Sequence, residues 1–389
     1  MTLTRRQFAA SLGLGLATSL VNQAGLGSVL PAAHGSPSLL YPGEQVMDAA
    51  GFPTLVKFQK GRPDKPLVVF LPGTSFLARI AYGFPAGRPS DFLSYWLAEE
   101  GYSFLGASYP LDNPVYPRVY PAFNIRDWGR QAAAAAQHFI RLHGLNNRIF
   151  VIGWSMGGKV VESVAASARD QNLDLELFVA LDALAPGPNL FPGNAQQLRL
   201  ARNGMVDQAG SLMPWFVQMI AMENKINGHT ILPETVLRTQ FTGNPPLDLQ
   251  GEILRFHDGR MVTEIGAAAT DSGSFDYNSY PPMALIISNS PADYPNVLLC
   301  KSNWSLFMGQ QLYRKHIYPN RQRVAALDPA KWKQLQDLFG SAMSELTMQI
   351  AGTHFLFLGE QGAHATATAI GDLHRKSDEL NRKIAALIG

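Results

Sequence analysis

Gly153-Trp154-Ser155-Met156-Gly157-Gly158 follows the apolar run Arg148–Ile152 and leads into a helical pattern that continues to Asp170. A G-x-S-x-G run gains mechanical meaning only in this strand–turn–helix context, where the turn is too tight for flanking side chains and the serine hydroxyl projects from the sheet. The Met156 amide then opens a helix, where partial positive charge can hold an oxyanion. Ser155 is therefore the candidate nucleophile. A rival pattern overlaps it: Gly153, Gly158 and Lys159 begin a phosphate-binding loop, but Val160 stands where that loop needs Ser or Thr for magnesium.

A serine hydroxyl needs a histidine to take its proton, and the histidine needs a carboxylate to fix its tautomer. His354 lies in Gly352-Thr353-His354-Phe355, after the apolar segment Glu345–Ile350 and before a closing helix expected over 365–388. That is a loop at a strand's carboxyl end, where such a base belongs; a packed core histidine is the structural alternative. Asp182 ends the apolar run Leu175–Leu181 and is the first choice for the acid, against a simple turn or capping role. Asn296–Cys300 is read as a strand with no carboxylate following it, and Asp293, before that segment, is the second choice.

The elements that must position these residues alternate. Pro66–Leu71, Tyr102–Ala107, Arg148–Ile152 and Leu175–Leu181 read as buried strands, and Asp91–Glu100, Asp127–His143 and Gly158–Asp170 as helices. Gly101 and Gly144 follow two of these helices as natural terminators. Such alternation argues for a mostly parallel central sheet with helices on both faces. It stops near Pro186 and resumes with Met283–Ile287, so an inserted cap is expected at about 187–282 within one domain spanning 34–389.

The order Leu71-Pro72-Gly73-Thr74-Ser75, Gly153–Gly158, Leu181-Asp182 and Gly352-Thr353-His354-Phe355 is similar to the thioesterase domains of polyketide and peptide synthases. The likeness covers about two-thirds of the chain and leaves the cap aside. It implies an α/β-hydrolase fold whose acid follows the strand after the nucleophile helix, as Asp182 does. It also implies a second oxyanion amide at Thr74, with Ser75 as its neighbour on the substrate side. Two features depart from the family, the large insert and the N-terminal segment.

That segment, 1–33, carries Arg5-Arg6-Gln7-Phe8, a short Gly- and Ala-rich apolar stretch and a small-residue exit near Ala33. It resembles a twin-arginine export signal and is too short in its apolar part for a spanning helix. Periplasmic or secreted placement through the twin-arginine machinery is expected, or membrane anchoring if the signal stays. Removing Arg5 and Arg6 takes the 32 basic residues to 30, equal to the 30 acidic ones, so no basic footprint for nucleic acid remains. A single cysteine, Cys300, excludes an intramolecular disulfide and a cysteine-rich zinc scaffold, and no motif implies a metal or cofactor.

Within the cap, Met213, Phe216 and Met219 recur at helical spacing with Trp215 beside them. They suit an adaptable acyl-binding wall, or the underside of a lid packed on its own core. Trp154 and Ser75 join them as candidate substrate contacts, whereas Arg148 and Lys159 are expected at the surface. The function expected is that of an exported serine hydrolase cleaving small or lipid-like oxygen esters or thioesters. An acyltransferase using the same groups, or a non-catalytic binding protein on the same fold, is the alternative.

Overall fold

A computed structural model describes residues 39–188, 190 and 198–389. The expected export signal lies outside the described residues, as does most of the start of the cap. An eight-stranded sheet forms the centre: β1 (Glu44–Ala49), β2 (Phe52–Gln59), β3 (Leu67–Leu71), β4 (Ser103–Ser108), β5 (Arg148–Trp154), β6 (Asp174–Leu181), β7 (Met283–Ile287) and β8 (Thr347–Gln349). Its order is β1-β2-β4-β3-β5-β6-β7-β8. Strand β2 pairs antiparallel with both β1 and β4, and every later pairing is parallel. This is the α/β-hydrolase topology, mostly parallel and wrapped by helices. Every residue of β3, β4 and β7 is buried, as strands covered on both faces require.

The helices that matter here are α1 (Leu93–Glu99), α2 (Ile125–His143), α3 (Val161–Asp170), α4 (Ala209–Asn227), α5 (Tyr294–Leu312), α6 (Pro329–Glu345) and α7 (Glu360–Ile388). Helix α2 starts at a capping box in which the Asn124 side chain accepts from the Asp127 amide and Asp127 returns a bond to the Asn124 amide. It ends where Gly144 takes a left-handed φ of 62°. Helix α1 packs on α7, and α2 on α3.

Between β6 and β7 the chain leaves the sheet. It forms α4, the antiparallel hairpin Leu254–His257 with Arg260–Thr263, and the short helix Ile265–Asp271 before returning. No helix among the described residues is long and apolar enough to cross a membrane.

The segment expected as a strand at Asn296–Cys300 is instead helical, the first turns of α5. Its buried positions Asn296, Cys300, Trp304, Phe307, Met308 and Gln311 follow the helix period, while Leu298 is exposed. Asp293 thus stands just ahead of a helix, downstream of β7, which is a carboxyl end of the sheet.

Candidate active site

Strand β5 runs into a 3-10 turn, Ser155–Val160, that passes directly into α3. Ser155 takes a φ of 54°, a left-handed conformation costly for a non-glycine residue and a mark of strain held by its surroundings. The glycines explain why the turn closes. A Cβ on Gly153 would lie 2.4 Å from the Gly157 carbonyl oxygen, and one on Gly73 would lie 2.8 Å from Ser155 Cβ. The loop after β3 therefore passes directly against the serine. Ser155 is partly accessible at the end of β5, while Met156 behind it is buried. As first-turn amides, those at Met156 and its neighbours have no helical acceptor upstream.

His354 sits in the loop after β8, and its surroundings fix its ring. The Nδ1–H donates to Asp293 Oδ2 at 2.9 Å. Trp154 donates its indole N–H to the His354 carbonyl at 2.9 Å, and the two rings lie 5.4 Å apart. From the cap, Trp215 covers the imidazole with ring centroids 5.0 Å apart. Trp154 directly precedes Ser155, so base and serine share one rim.

The two candidate acids both reach this imidazole, in the reverse of the order expected from sequence. Asp293 is hydrogen-bonded, whereas Asp182 Oδ2 stands 3.9 Å from Nδ1, beyond a hydrogen bond. The correction follows from α5: with a helix at 294–312, Asp293 occupies the loop after β7 and faces inward. Its Oδ1 also accepts from the Asn296 side-chain amide Nδ2 at 2.8 Å. Asp182, with φ 43°, is fully buried, and its Oδ1 accepts from the Ser288 amide at 3.3 Å.

Charge in this cluster divides unevenly. Burial, and then the Asp293 carboxylate, push the Asp182 carboxyl up to about 8. Burial also works against an ionised Asp293, but the His354 charge and hydrogen bonds from His354, Asp182 and Asn296 outweigh it and hold Asp293 below its usual range. For His354 burial disfavours the imidazolium, yet Asp293, by its charge and its hydrogen bond, lifts it above its ordinary value. Burial, then Asp182 and Asp293, push the Cys300 thiol well up, which leaves an inert thiol. Asp182, Asp293 and His354 bring one oxygen or nitrogen each within 4.8 Å of one another. Their hydrogen bonding and their burial suit them to share a proton.

The other expected site residues divide as well. The Thr74 hydroxyl donates to Gln208 Oε1 at 2.7 Å and accepts from the Gln250 side-chain amide at 3.2 Å. The loop carrying the expected second oxyanion amide is thereby tied to the cap. Ser75 is fully buried with φ 65°, and its hydroxyl has no partner among the described residues. Trp154, Phe216 and Met219, expected against substrate, are buried in the core; Phe216 packs edge-on against Phe76 with centroids 4.8 Å apart. Phe216 and Met219 seat the cap, and Trp154 packs against Phe76 and the loop that carries His354. Met213, also mostly buried, lines a groove of about 540 Å³ with Asn113, Asp207, Arg238 and Asn244.

Lys159, expected at the surface, is fully buried, and its Nζ donates to the Gly187 carbonyl and to Glu252 at 2.8 Å. It binds the cap's base, which further weakens the phosphate-loop pattern.

One further residue carried no motif. Glu223 of α4 is 2% exposed, and its Oε1 accepts from both the backbone N–H and the hydroxyl of Thr353, the residue before His354. A buried acid on an otherwise apolar helix face was the only available signal.

A scan against protein-family models matched none, and a search of curated proteins found no match. Among solved structures, the chain is similar to a malate-bound thermophilic esterase from Thermogutta terrifontis, at 14% identity over 84% of this chain and 94% of that one, with TM-score 0.45. It is similar to the thioesterase domain from the curacin biosynthetic pathway, at 13% identity over 84% and 98% of the two chains, with TM-score 0.38. A haloalkane dehalogenase loop variant from Bradyrhizobium elkanii matches at 13% identity over 86% and 97%, with TM-score 0.42.

Proposed function

We propose that the protein is an exported serine hydrolase that cleaves carboxylic esters through an acyl-enzyme. The observation that carries this reading is a strained serine at the tip of β5 sharing a sheet rim with an imidazole whose Nδ1 is bound to a buried carboxylate. Ser155 Oγ attacks the ester carbonyl while His354 Nε2 takes its proton, and Asp293 stabilises the imidazolium. The amides of Met156 and Thr74 hold the oxyanion. His354 then protonates the leaving alcohol, and water releases the acyl group by the same base. Arg5 and Arg6 ahead of the apolar stretch support export, which favours oxygen esters over the thioesters of cytoplasmic carriers.

The test is labelling of the purified chain by a fluorophosphonate, together with hydrolysis of aryl esters of graded chain length. Labelling of the wild type and its loss in Ser155→Ala, with turnover reduced by several orders of magnitude, is the expected result. An unlabelled, folded wild type, or a Ser155→Ala variant with full esterase activity, refutes the reading. Export is tested by fractionating cells that carry Arg5→Lys and Arg6→Lys together: retention of the chain in the cytoplasm is expected, and undiminished export refutes twin-arginine transport.

A further inference from the structure

Two carboxyl groups crowd one imidazole, and only one of them is paired as a carboxylate should be. Asp293 accepts from His354 and from Asn296. Asp182 Oδ2 is buried and finds no donor among the described residues. Two carboxylate oxygens cannot bond each other, and ionising both in this setting sets like charges together without water to separate them. A single proton resolves both defects. On one Asp182 oxygen it turns an orphan acceptor into a donor and removes one negative charge.

We propose that Asp182 is a positioning residue held neutral in the resting enzyme, its carboxyl proton donated to the Asp293 carboxylate, which in turn accepts from His354 Nδ1. This rests on the reading of Ser155 and His354 as nucleophile and base. The titratable groups facing Asp182 are Asp293 and Cys300, at the start of and within α5, and His354 from the loop after β8; Ser288 adds a backbone donor at the end of β7. None of these is a fixed cation that would hold Asp182 ionised. The proton stays on Asp182 through the reaction. Its task is to orient Asp293 and to moderate that carboxylate's basicity, so that Asp293 does not strip the proton from Nδ1.

The experiment compares Asp182→Asn, Asp182→Leu and Asp293→Asn in the full chain on an aryl ester. An Asn amide can donate where the neutral acid did, so Asp182→Asn keeps kcat/KM within about tenfold of wild type. Asp182→Leu, which cannot donate, loses about a hundredfold or more. Asp293→Asn offers His354 the wrong partner and loses about a thousandfold to ten-thousandfold. The acid limb of kcat/KM in Asp182→Asn stays within about 0.3 pH units of wild type, since a neutral group contributes no charge to the imidazole. An Asp182→Asn variant as damaged as Asp293→Asn, or an acid limb lowered by about one unit, overturns the proposal.

Stability decides the same question without turnover. Asp182 is raised in the fold, so its ionisation opposes folding. The wild type's urea midpoint should fall relative to that of Asp182→Asn as pH rises from about 4 towards about 8, and level off above. A wild type that instead gains on the variant over that range has an ionised, stabilised Asp182, and the proposal fails. A wild type inert to esters and fluorophosphonate defeats the hydrolase reading alone, and leaves this comparison to judge Asp182.

Discussion

Removing the Glu223 carboxylate should disable the base from a distance. Glu223 lies on the cap helix α4, two turns beyond the Trp215 that covers the imidazole. Its Oε1 takes both the backbone N–H and the hydroxyl of Thr353, which is itself fully buried. The base loop has little freedom here, because Gly352 holds a φ of 147° and a Cβ there would lie 3.1 Å from that same Oε1. In Glu223→Ala the Thr353 amide loses its acceptor and the hydroxyl keeps only the Met219 carbonyl at 3.5 Å, and each unmet buried group costs about 1–3 kcal/mol. The loop relieves that cost by shifting until water reaches the donors, which carries His354 with it. Returning it to the working position then costs about 2–3 kcal/mol, the low end of the range for the pair, because the loop relaxes in part. At about 1.4 kcal/mol per tenfold this lowers kcat/KM by about 30- to 150-fold. Global stability should change less, since burial pushes the Glu223 carboxyl up and its removal also removes a desolvation cost. Glu223→Gln keeps an acceptor at the same place and should recover most of the activity. Steady-state kinetics with urea melts on the three proteins make the assay. Wild-type kcat/KM in Glu223→Ala refutes the reasoning, and a Gln variant as impaired as the Ala one shows that charge, and not the acceptor, does the work.

Three other outcomes follow from the same geometry. Gly73→Ala introduces a Cβ 2.8 Å from Ser155 Cβ and 3.1 Å from the Trp154 ring, displacing the nucleophile; the fluorophosphonate labelling rate should drop about a hundredfold in a protein with native circular dichroism. Because Asp293 lifts the His354 imidazolium above 6.5 despite its burial, the base is blocked on the acid side, and kcat/KM should fall tenfold per pH unit below a midpoint lying above 6.5. A midpoint at or below that value refutes the assignment. Arg79→Leu strands Glu44, whose carboxylate now meets Nε at 2.8 Å and Nη2 at 2.6 Å in a fully buried pair; a loss of about 3–5 kcal/mol in urea unfolding is expected, and a loss under about 1 kcal/mol contradicts it.

The sheet was legible because its strands are buried on both faces and read as continuous apolar runs, β3 and β7 most clearly. The serine turn was legible because tight backbone geometry demands glycine at fixed offsets, a local constraint. The order of the two carboxylates around His354 was misread through one local ambiguity. Val297, Leu298 and Leu299 form a short apolar run that periodicity alone cannot assign to strand or helix. Pro295, next to the first residue of α5, was the missed signal, since proline favours a helix's first turn and cannot donate to a ladder. A strand at that place put Asp293 before an element instead of after β7, and one misassigned segment demoted the carboxylate that bonds His354. Glu223 and Lys159 failed differently. Each is a charged residue on an element whose pattern is otherwise apolar or surface-like, and each is explained only by a partner far along the chain, Thr353 and Glu252. Polar burial is decided by what the fold brings opposite, and neighbours in sequence do not encode it. The cap therefore carries the least legible and most consequential contacts. Gln208 and Gln250 hold the Thr74 loop, Trp215 and Glu223 hold the His354 loop, and Glu252 holds the turn that bears Ser155. An insert joined to all three parts of the site does more than cover it, so trimming the cap should disorder the loops that carry Thr74, Ser155 and His354 together.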